Sequence, residues 1–290
     1  MPTSGSGIPV KILIPLRVMT IILLFIIGVF AGILAGLLGV GGGIIFTPVL
    51  FYMFMQGGLS QVPQWAIATS LFCTFIASIS SVIKQYRNAN FFLTEYLKVG
   101  ICGVIGTTLG ALITLSDWYG AEQFTILFTL LILYTIWSLL TRNRAGAIPS
   151  GTERKTGEIT FLSALIIGLC GGMIASLAGV GGGIVMVPLM TLVFGLPFVQ
   201  AVSISSGAIV IISLSAWLQM AWASPADPSL TTLALGFVDF GTAMPLIAGS
   251  LLGGYFGVKI GHRLSTVVLE RIFVILLFAV AIRLIYDAYF

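Results

Sequence analysis

A chain of 290 residues that is 58% hydrophobic and only 8% charged, with a mean hydropathy of +1.15, cannot be an ordinary soluble domain, where about a quarter of the residues carry charge. The net charge of +4 sits mainly in the predicted loops. With no basic face interleaved with aromatics, this excludes nucleic acid as a partner and points instead to contacts with anionic lipid.

Apolar segments of about 20 residues recur along the whole length, as a hydrocarbon layer of roughly 30 Å requires. They predict an all-α integral membrane protein, multi-pass. Residues 1–15 read as a polar, Pro-containing tail, followed by a helix over 18–38 that is retained rather than cleaved as a signal peptide. A glycine-rich break and a short helix over 44–55 come next. After a Gly/Pro turn a helix runs from Trp65 to Ile83, ending at the charged stretch Lys84 to Asn88. Helices over 95–115 and 121–140 follow, joined by a turn whose Trp118 and Tyr119 suit a membrane interface.

Residues 141–158 collect Arg142, Arg144, Glu153, Arg154, Lys155 and Glu158 and read as a linker. Beyond it the order repeats. Helices are predicted over 159–178, 184–194, 200–222, 240–260 and 266–288, with a loop at 223–228. The division is therefore a first transmembrane repeat at 1–140, a charged linker at 141–158 and a second repeat at 159–290.

The repeat is written into the residues. Laid against each other at a constant offset of 140, residues 26–48 and 166–188 agree at 13 of 23 positions. Gly28/Gly168, Gly32/Gly172, Pro48/Pro188 and the whole Gly-Val-Gly-Gly-Gly run, Gly39 to Gly43 and Gly179 to Gly183, are among them.

Glycine at four of five positions is too dense for a helix. In hydrocarbon the freed N–H and C=O groups cost several kcal/mol each, so such a break is tolerated only where it is buried in protein or lines a wet cavity. Matched Gly-interrupted segments in two halves are the best sequence pointer to a transporter's binding site. Helices restarting at Ile44 and Ile184 would point bare N–H groups into that site, a geometry suited to an anion. Gly28, Gly32 and Gly36, spaced by four, read instead as a close helix-packing face.

At these residues the chain resembles the sulfite exporter TauE/SafE family, whose halves carry a glycine-rich stretch followed by a proline, then a Thr-Ser pair one helix later. The resemblance runs from about residue 20 to 288. It implies a secondary transporter exporting sulfite, sulfoacetate or another small sulfur-containing anion across the cytoplasmic membrane, coupled to an ion gradient. Thr69 and Ser70 match the Thr-Ser pair; the second half departs, with Ile204 and Ser205 at the matching positions and Ser203 and Ser206 beside them.

The candidate substrate site is therefore Gly39, Gly41, Gly42, Gly43, Thr69 and Ser70 with Gly179, Gly181, Gly182, Gly183, Ser205 and Ser206. The hydroxyls can serve an anion or bond a carbonyl of their own or a neighbouring helix. Gln85 and Gln219 are weaker candidates. Asp239 reads first as a helix cap and second as a proton-coupling group. His262, between Lys259 and Arg263, reads as solvated loop charge.

Cys73, Cys102 and Cys170 read as small buried hydrophobes, with neither a disulfide nor a metal site. No cofactor is expected, no Walker-type phosphate loop is present and the chain is read as no enzyme. The extensive apolar surface is compatible with a homodimer. Alternatives are an anion channel and a non-transporting membrane subunit. Topology stays open: five segments per half give inverted repeats, four plus a re-entrant helix give parallel ones. Lys and Arg divide ten against three in both cases; the five-plus-five arrangement is preferred.

Overall fold

The computed structural model describes residues 10–38, 41–87, 92–144, 159–226 and 229–261, together with residues 275 and 278. The helices are α1 (Val10–Leu38), α2 (Gly43–Gln56), α3 (Val62–Arg87), α4 (Leu93–Thr114), α5 (Ala121–Arg144), α6 (Phe161–Ala178), α7 (Gly183–Pro188), α8 (Phe198–Ala221) and α9 (Phe240–Gly261). A π-helical turn, Leu189–Val193, continues α7, and Ala234–Leu235 (β1) pairs antiparallel with Val238–Asp239 (β2). Among the described residues, five helices hold stretches long and apolar enough to cross a membrane: Val62–Ile83, Leu93–Thr114, Ala121–Ser138, Phe161–Ala178 and Gln200–Ala221. The chain is an all-α multi-pass membrane protein.

Two glycine seams set the helix packing. A Cβ on Gly28 or Gly32 of α1 would meet the carbonyl oxygens of Leu246 and Ser250 on α9 at 2.3 and 2.2 Å. From the other side, one on Gly249 or Gly253 would meet those of Phe25 and Val29 at 2.1 and 1.9 Å. Numbers rise together, so α1 and α9 run parallel. The same seam joins α6 to α4, where Gly168 and Gly172 face Val99 and Gly103, and Gly106 and Gly110 face Leu169 and Met173. Lipid supplies no hydrophobic drive between helices, so this backbone approach is the attraction. The sequence expectation for Gly28 and Gly32 holds.

Directions follow from further contacts. Phe72 meets Trp217 at 5.2 Å between ring centroids, and Ser81 meets Ser206 at 3.4 Å, so α3 and α8 are antiparallel. Thr69, Phe72 and Cys73 face Phe237, Phe240 and Ala243 in rising order, so α3 and α9 are parallel. Gly207 against Tyr96 and Ser215 against Thr107 make α4 and α8 parallel. Thus α1, α3 and α9 run one way, and α4, α6 and α8 the other.

Several boundaries differ from the sequence expectation. Helix α1 begins at Val10, inside the stretch read as a tail, where residues 10–17 are apolar apart from Lys11 and Arg17. Helix α3 continues through Lys84 to Arg87, and α5 reaches Arg144, inside the expected linker. The short helix expected over 184–194 changes to π-helical turns after Pro188, where the Phe194 N–H donates to the Leu189 carbonyl at 3.2 Å. No sequence signal predicts the β1/β2 hairpin. It turns on Gly236 (φ 53) and seats Phe237 against Trp65 at 5.6 Å. Of the helix expected over 266–288 only Ile275 and Phe278 are described, both helical and exposed; the rest of it, with His262 and Arg263, lies outside the described residues.

Candidate functional site

Both glycine breaks restart a helix with the same bonds. The N–H groups of Ile45 and Phe46 donate to the Gly42 carbonyl at 3.0 and 3.1 Å; those of Val185 and Met186 donate to the Gly182 carbonyl, both at 3.1 Å. The amides of Gly43 and Ile44 precede the first ladder bond of α2, at its positive end. Left-handed backbone permits the turns: Gly41 has φ 76, Gly179 73, Gly181 73 and Gly182 79. Gly42 departs from its counterpart, with φ −77. Gly39 lies outside the described residues.

The second break hooks back on itself. Gly182, four residues beyond α6, sits against the Gly171 carbonyl, seven residues before the end of that helix, and Met186 packs on Gly171. The α7 start is thereby brought down to the middle of α6.

The two breaks meet where α3 crosses α8. Gly41 and Gly181 both rest on Thr74 of α3, with a built Cβ at 3.0 and 2.8 Å from its Cγ2, and both touch Ile209 of α8. Thr74 and Ile209 are matching positions of the repeat, at the offset of 135 that pairs Ala66 with Ala201. Gly43 approaches the Gly179 carbonyl and Val180, and Gly179 approaches Thr47. Residues 41–48 and 175–184 are all buried. The centre is closed.

The predicted hydroxyls are largely occupied by protein. Ser70 Oγ donates to the Gly179 carbonyl at 2.9 Å, and Thr47 Oγ1 bonds Ser70 at 2.8 Å and approaches the same carbonyl at 3.1 Å. Thr69 Oγ1 accepts from the Asp239 N–H at 3.1 Å. Ser206 Oγ donates to the Val202 carbonyl at 2.8 Å, and Ser205 is fully buried on the same helix. Gln219 bonds Ser215 and Thr107, away from the breaks; the side chain of Gln85 lies outside the described residues.

Sequence reasoning missed Thr47, Thr74 and Ile209. The signal was there for Thr74: Ser70, Thr74 and Ser78 recur every four residues, which places them along one helix face. Thr47 lay hidden because its counterpart is Val187, so the repeat comparison does not mark it. Thr47→Val should cost about 1 kcal/mol in unfolding free energy, the worth of a single hydroxyl's bonding, and leave transport near wild type. Chemical denaturation and flux measured on the same preparation check both.

Asp239 is fully buried and caps α9. Its Oδ1 accepts from the Thr242 N–H at 3.2 Å and from the Thr231 hydroxyl at 2.5 Å, and its Oδ2 accepts from the Thr231 N–H at 3.1 Å. Asp239→Ala should cost about 2–4 kcal/mol, a lost cap plus an orphaned buried N–H. Asp239→Asn keeps an acceptor and should keep gradient-driven flux. Loss of pH-gradient dependence in that variant, at normal stability, would instead assign the carboxyl a coupling role.

A groove of about 520 Å³ lies elsewhere, between the ends of α4 and α8, lined by Leu112, Leu115, Leu218 and Trp222 among others. It is apolar, and Leu112 and Trp222 are exposed, as expected of a lipid-facing surface. The cysteines are free, with Cys73 and Cys102 buried.

Apolar helices in two opposed sets, interrupted by irregular backbone at their shared centre, define a membrane protein of the transporter class. The chain matches the family described as Sulfite exporter TauE/SafE over residues 24–284, and it belongs to that family. Among similar proteins are the probable membrane transporter protein YunE of Bacillus subtilis, 26% identical over 94% of this chain and 100% of that one, and the probable membrane transporter protein MJ0441 of Methanocaldococcus jannaschii, 26% identical over 84% and 87%. Another, YjnA of Bacillus subtilis, is 24% identical over 90% and 98%. The protein is a membrane transporter of the TauE/SafE type.

Proposed function

We infer that this transporter exports sulfite or a related small sulfur-containing anion across the cytoplasmic membrane by alternating access, driven by an ion gradient. The observation that carries the reading is the meeting of both glycine breaks on one pair of matching residues, Thr74 and Ile209. A substrate held there would face backbone amides and the positive end of α2, where an anion is stabilised.

The repeats are inverted in this reading. Support comes from the antiparallel α3 and α8, which are corresponding helices, and from the seams: the first helix of each copy packs along the fourth of the other. Such a two-fold arrangement lets one bundle rock against the other about a fixed central site. The sealed centre supports a carrier with an occluded state over an open channel. The substrate site is read as Gly41, Gly42, Gly43, Gly181, Gly182 and Gly183, with Ser70 and Ser205 alongside; Gly179, Thr69 and Ser206 support it through the bonds described above.

Reconstitution tests this directly. Sulfite uptake into proteoliposomes should saturate, respond to an imposed pH gradient and be inhibited by a simple organic sulfonate such as methanesulfonate but not by chloride. Flux that rises linearly without saturating would make the protein a channel, and no flux of any sulfur anion would overturn the reading.

A further inference from the structure

Among the described residues, two hydroxyls at the closed centre stand without a bond. Thr74 Oγ1 and Ser78 Oγ are buried with no hydrogen-bond partner, in residues 0% and 3% exposed. In a membrane helix a Ser or Thr hydroxyl ordinarily donates to the carbonyl three or four residues back. Thr135, Thr191, Ser206 and Ser213 all do so here, to Leu131, Val187, Val202 and Ile209. Burying a donor unbonded is costly, so two successive ones on a single face call for a partner that comes and goes.

Their position says which partner. Thr74 Oγ1 lies 2.9 Å from where a Cβ on Gly43 would stand, at the N-terminus of the 14-residue α2. Ser78 follows one turn along the same face of α3. The matching positions on α8 are Ile209, a hydrocarbon, and Ser213, already bonded within its own helix. The centre thus has a donor wall and an apolar wall. Thr47, Ser70, Thr74, Ser78, Ile209 and the glycines carry no charge, so the positive potential comes from the helix end, worth about half a charge.

We propose that Thr74 and Ser78 are the side-chain donors that hold the oxygens of a singly charged sulfur oxyanion at the start of α2, with the rest of the molecule against Ile209. This rests on the transport reading above and narrows its substrate class. A dianion would bring a second charge that one helix end and two neutral hydroxyls do not offset in a dry site. Methanesulfonate, always a monoanion near neutral pH, therefore competes with sulfite, and sulfate does not.

The test uses the full chain, as wild type and as Thr74→Val, Thr74→Ser and Ser78→Ala, in proteoliposomes and in detergent. Thr74→Val removes an unbonded hydroxyl at nearly constant shape, so it should melt at or above the wild-type temperature. Its half-saturation concentration for sulfite should rise about tenfold to a hundredfold, the worth of one hydrogen bond to a charged group. Thr74→Ser should restore most of the affinity, and Ser78→Ala should weaken it in the same direction. Methanesulfonate should raise the melting temperature of wild type but not of Thr74→Val.

A Thr74→Val protein that melts lower yet binds sulfite normally would make the hydroxyl structural and overturn the proposal. So would sulfate competing as well as methanesulfonate. If wild type carries no sulfite while methanesulfonate still stabilises it through Thr74, the binding site stands and the transport reading falls. Absence of both effects overturns the two together.

Discussion

Gly182→Ala is expected to reduce sulfite flux by about a hundredfold or more while leaving the protein inserted in the membrane. Two costs coincide at this residue. Its φ of 79 is left-handed, which an alanine adopts only at about 1–2 kcal/mol. Its Cβ would also stand 2.2 Å from the Gly171 carbonyl oxygen, backbone of α6 that cannot swing aside as a side chain does. The hook would open and α7 would leave the centre.

Two comparisons isolate the cause. Gly58 has the same left-handed backbone, φ 74, with nothing within 4 Å of its Cβ, so Gly58→Ala carries the conformational cost alone and should transport normally. Gly42, the partner of Gly182 in the repeat, has φ −77, and a Cβ there would press first on the ring of Phe46, a side chain. Gly42→Ala should therefore be the milder of two changes that the sequence presents as equivalent. Flux normalised to protein inserted in the vesicles checks all three. Equal flux in Gly182→Ala and Gly58→Ala would remove the argument from close approach.

Gly253→Val and Gly172→Val are expected to destabilise the fold itself, by about 3 kcal/mol each. Added Cβ atoms would stand 1.9 Å from the Val29 carbonyl oxygen and 2.1 Å from that of Gly103. Both oxygens belong to helices that adhere through close contact, so pushing the seams apart forfeits the dispersion energy along each. The two seams join corresponding helices of the repeat, and the two variants should lose similar amounts. Thermal melting of purified protein in detergent reads this. A variant that melts with the wild type would show that the seam yields without cost.

The fold was legible wherever the signal was periodic or repeated. Long apolar segments marked the helices, and the doubled Gly-Val-Gly-Gly-Gly run marked both breaks and their join to α2 and α7. The spacing of Gly28 and Gly32 gave a packing face but not its partner: nothing in the residues says that α1 lies along α9, 218 positions downstream, rather than along a helix of its own copy. The hairpin at Ala234 to Asp239 was invisible because strands of two residues carry no alternation to read.

The candidate site was legible in its backbone and less so in its side chains. Repetition picked out the glycines, yet it hid Thr74, whose counterpart is Ile209, and Thr47, whose counterpart is Val187. A search for matched polar positions discards the asymmetric ones, and here asymmetric hydroxyls stand against the breaks. Ser70 was found, but its bond to the Gly179 carbonyl joins residues 109 apart and could not be read from spacing. Charge counting could not orient the halves because Lys and Arg divide ten against three in both arrangements; the contacts of Phe72 with Trp217 and Ser81 with Ser206 give α3 and α8 opposite directions.

If both breaks form one substrate site, reached alternately from the two sides of the membrane, a single thiol at its centre reports that most directly. The variant is Ile209→Cys in a chain whose three native cysteines are replaced by alanine. Alkylation by a membrane-impermeant thiol reagent is followed from each face of the vesicle, with and without sulfite, and is normalised to that of a cysteine placed at an exposed position away from the site, because free sulfite itself consumes the reagent. Slow labelling from both faces, suppressed by sulfite at concentrations that saturate transport, is the predicted result. A variant that transports sulfite while the introduced thiol labels equally with and without saturating substrate would contradict the account.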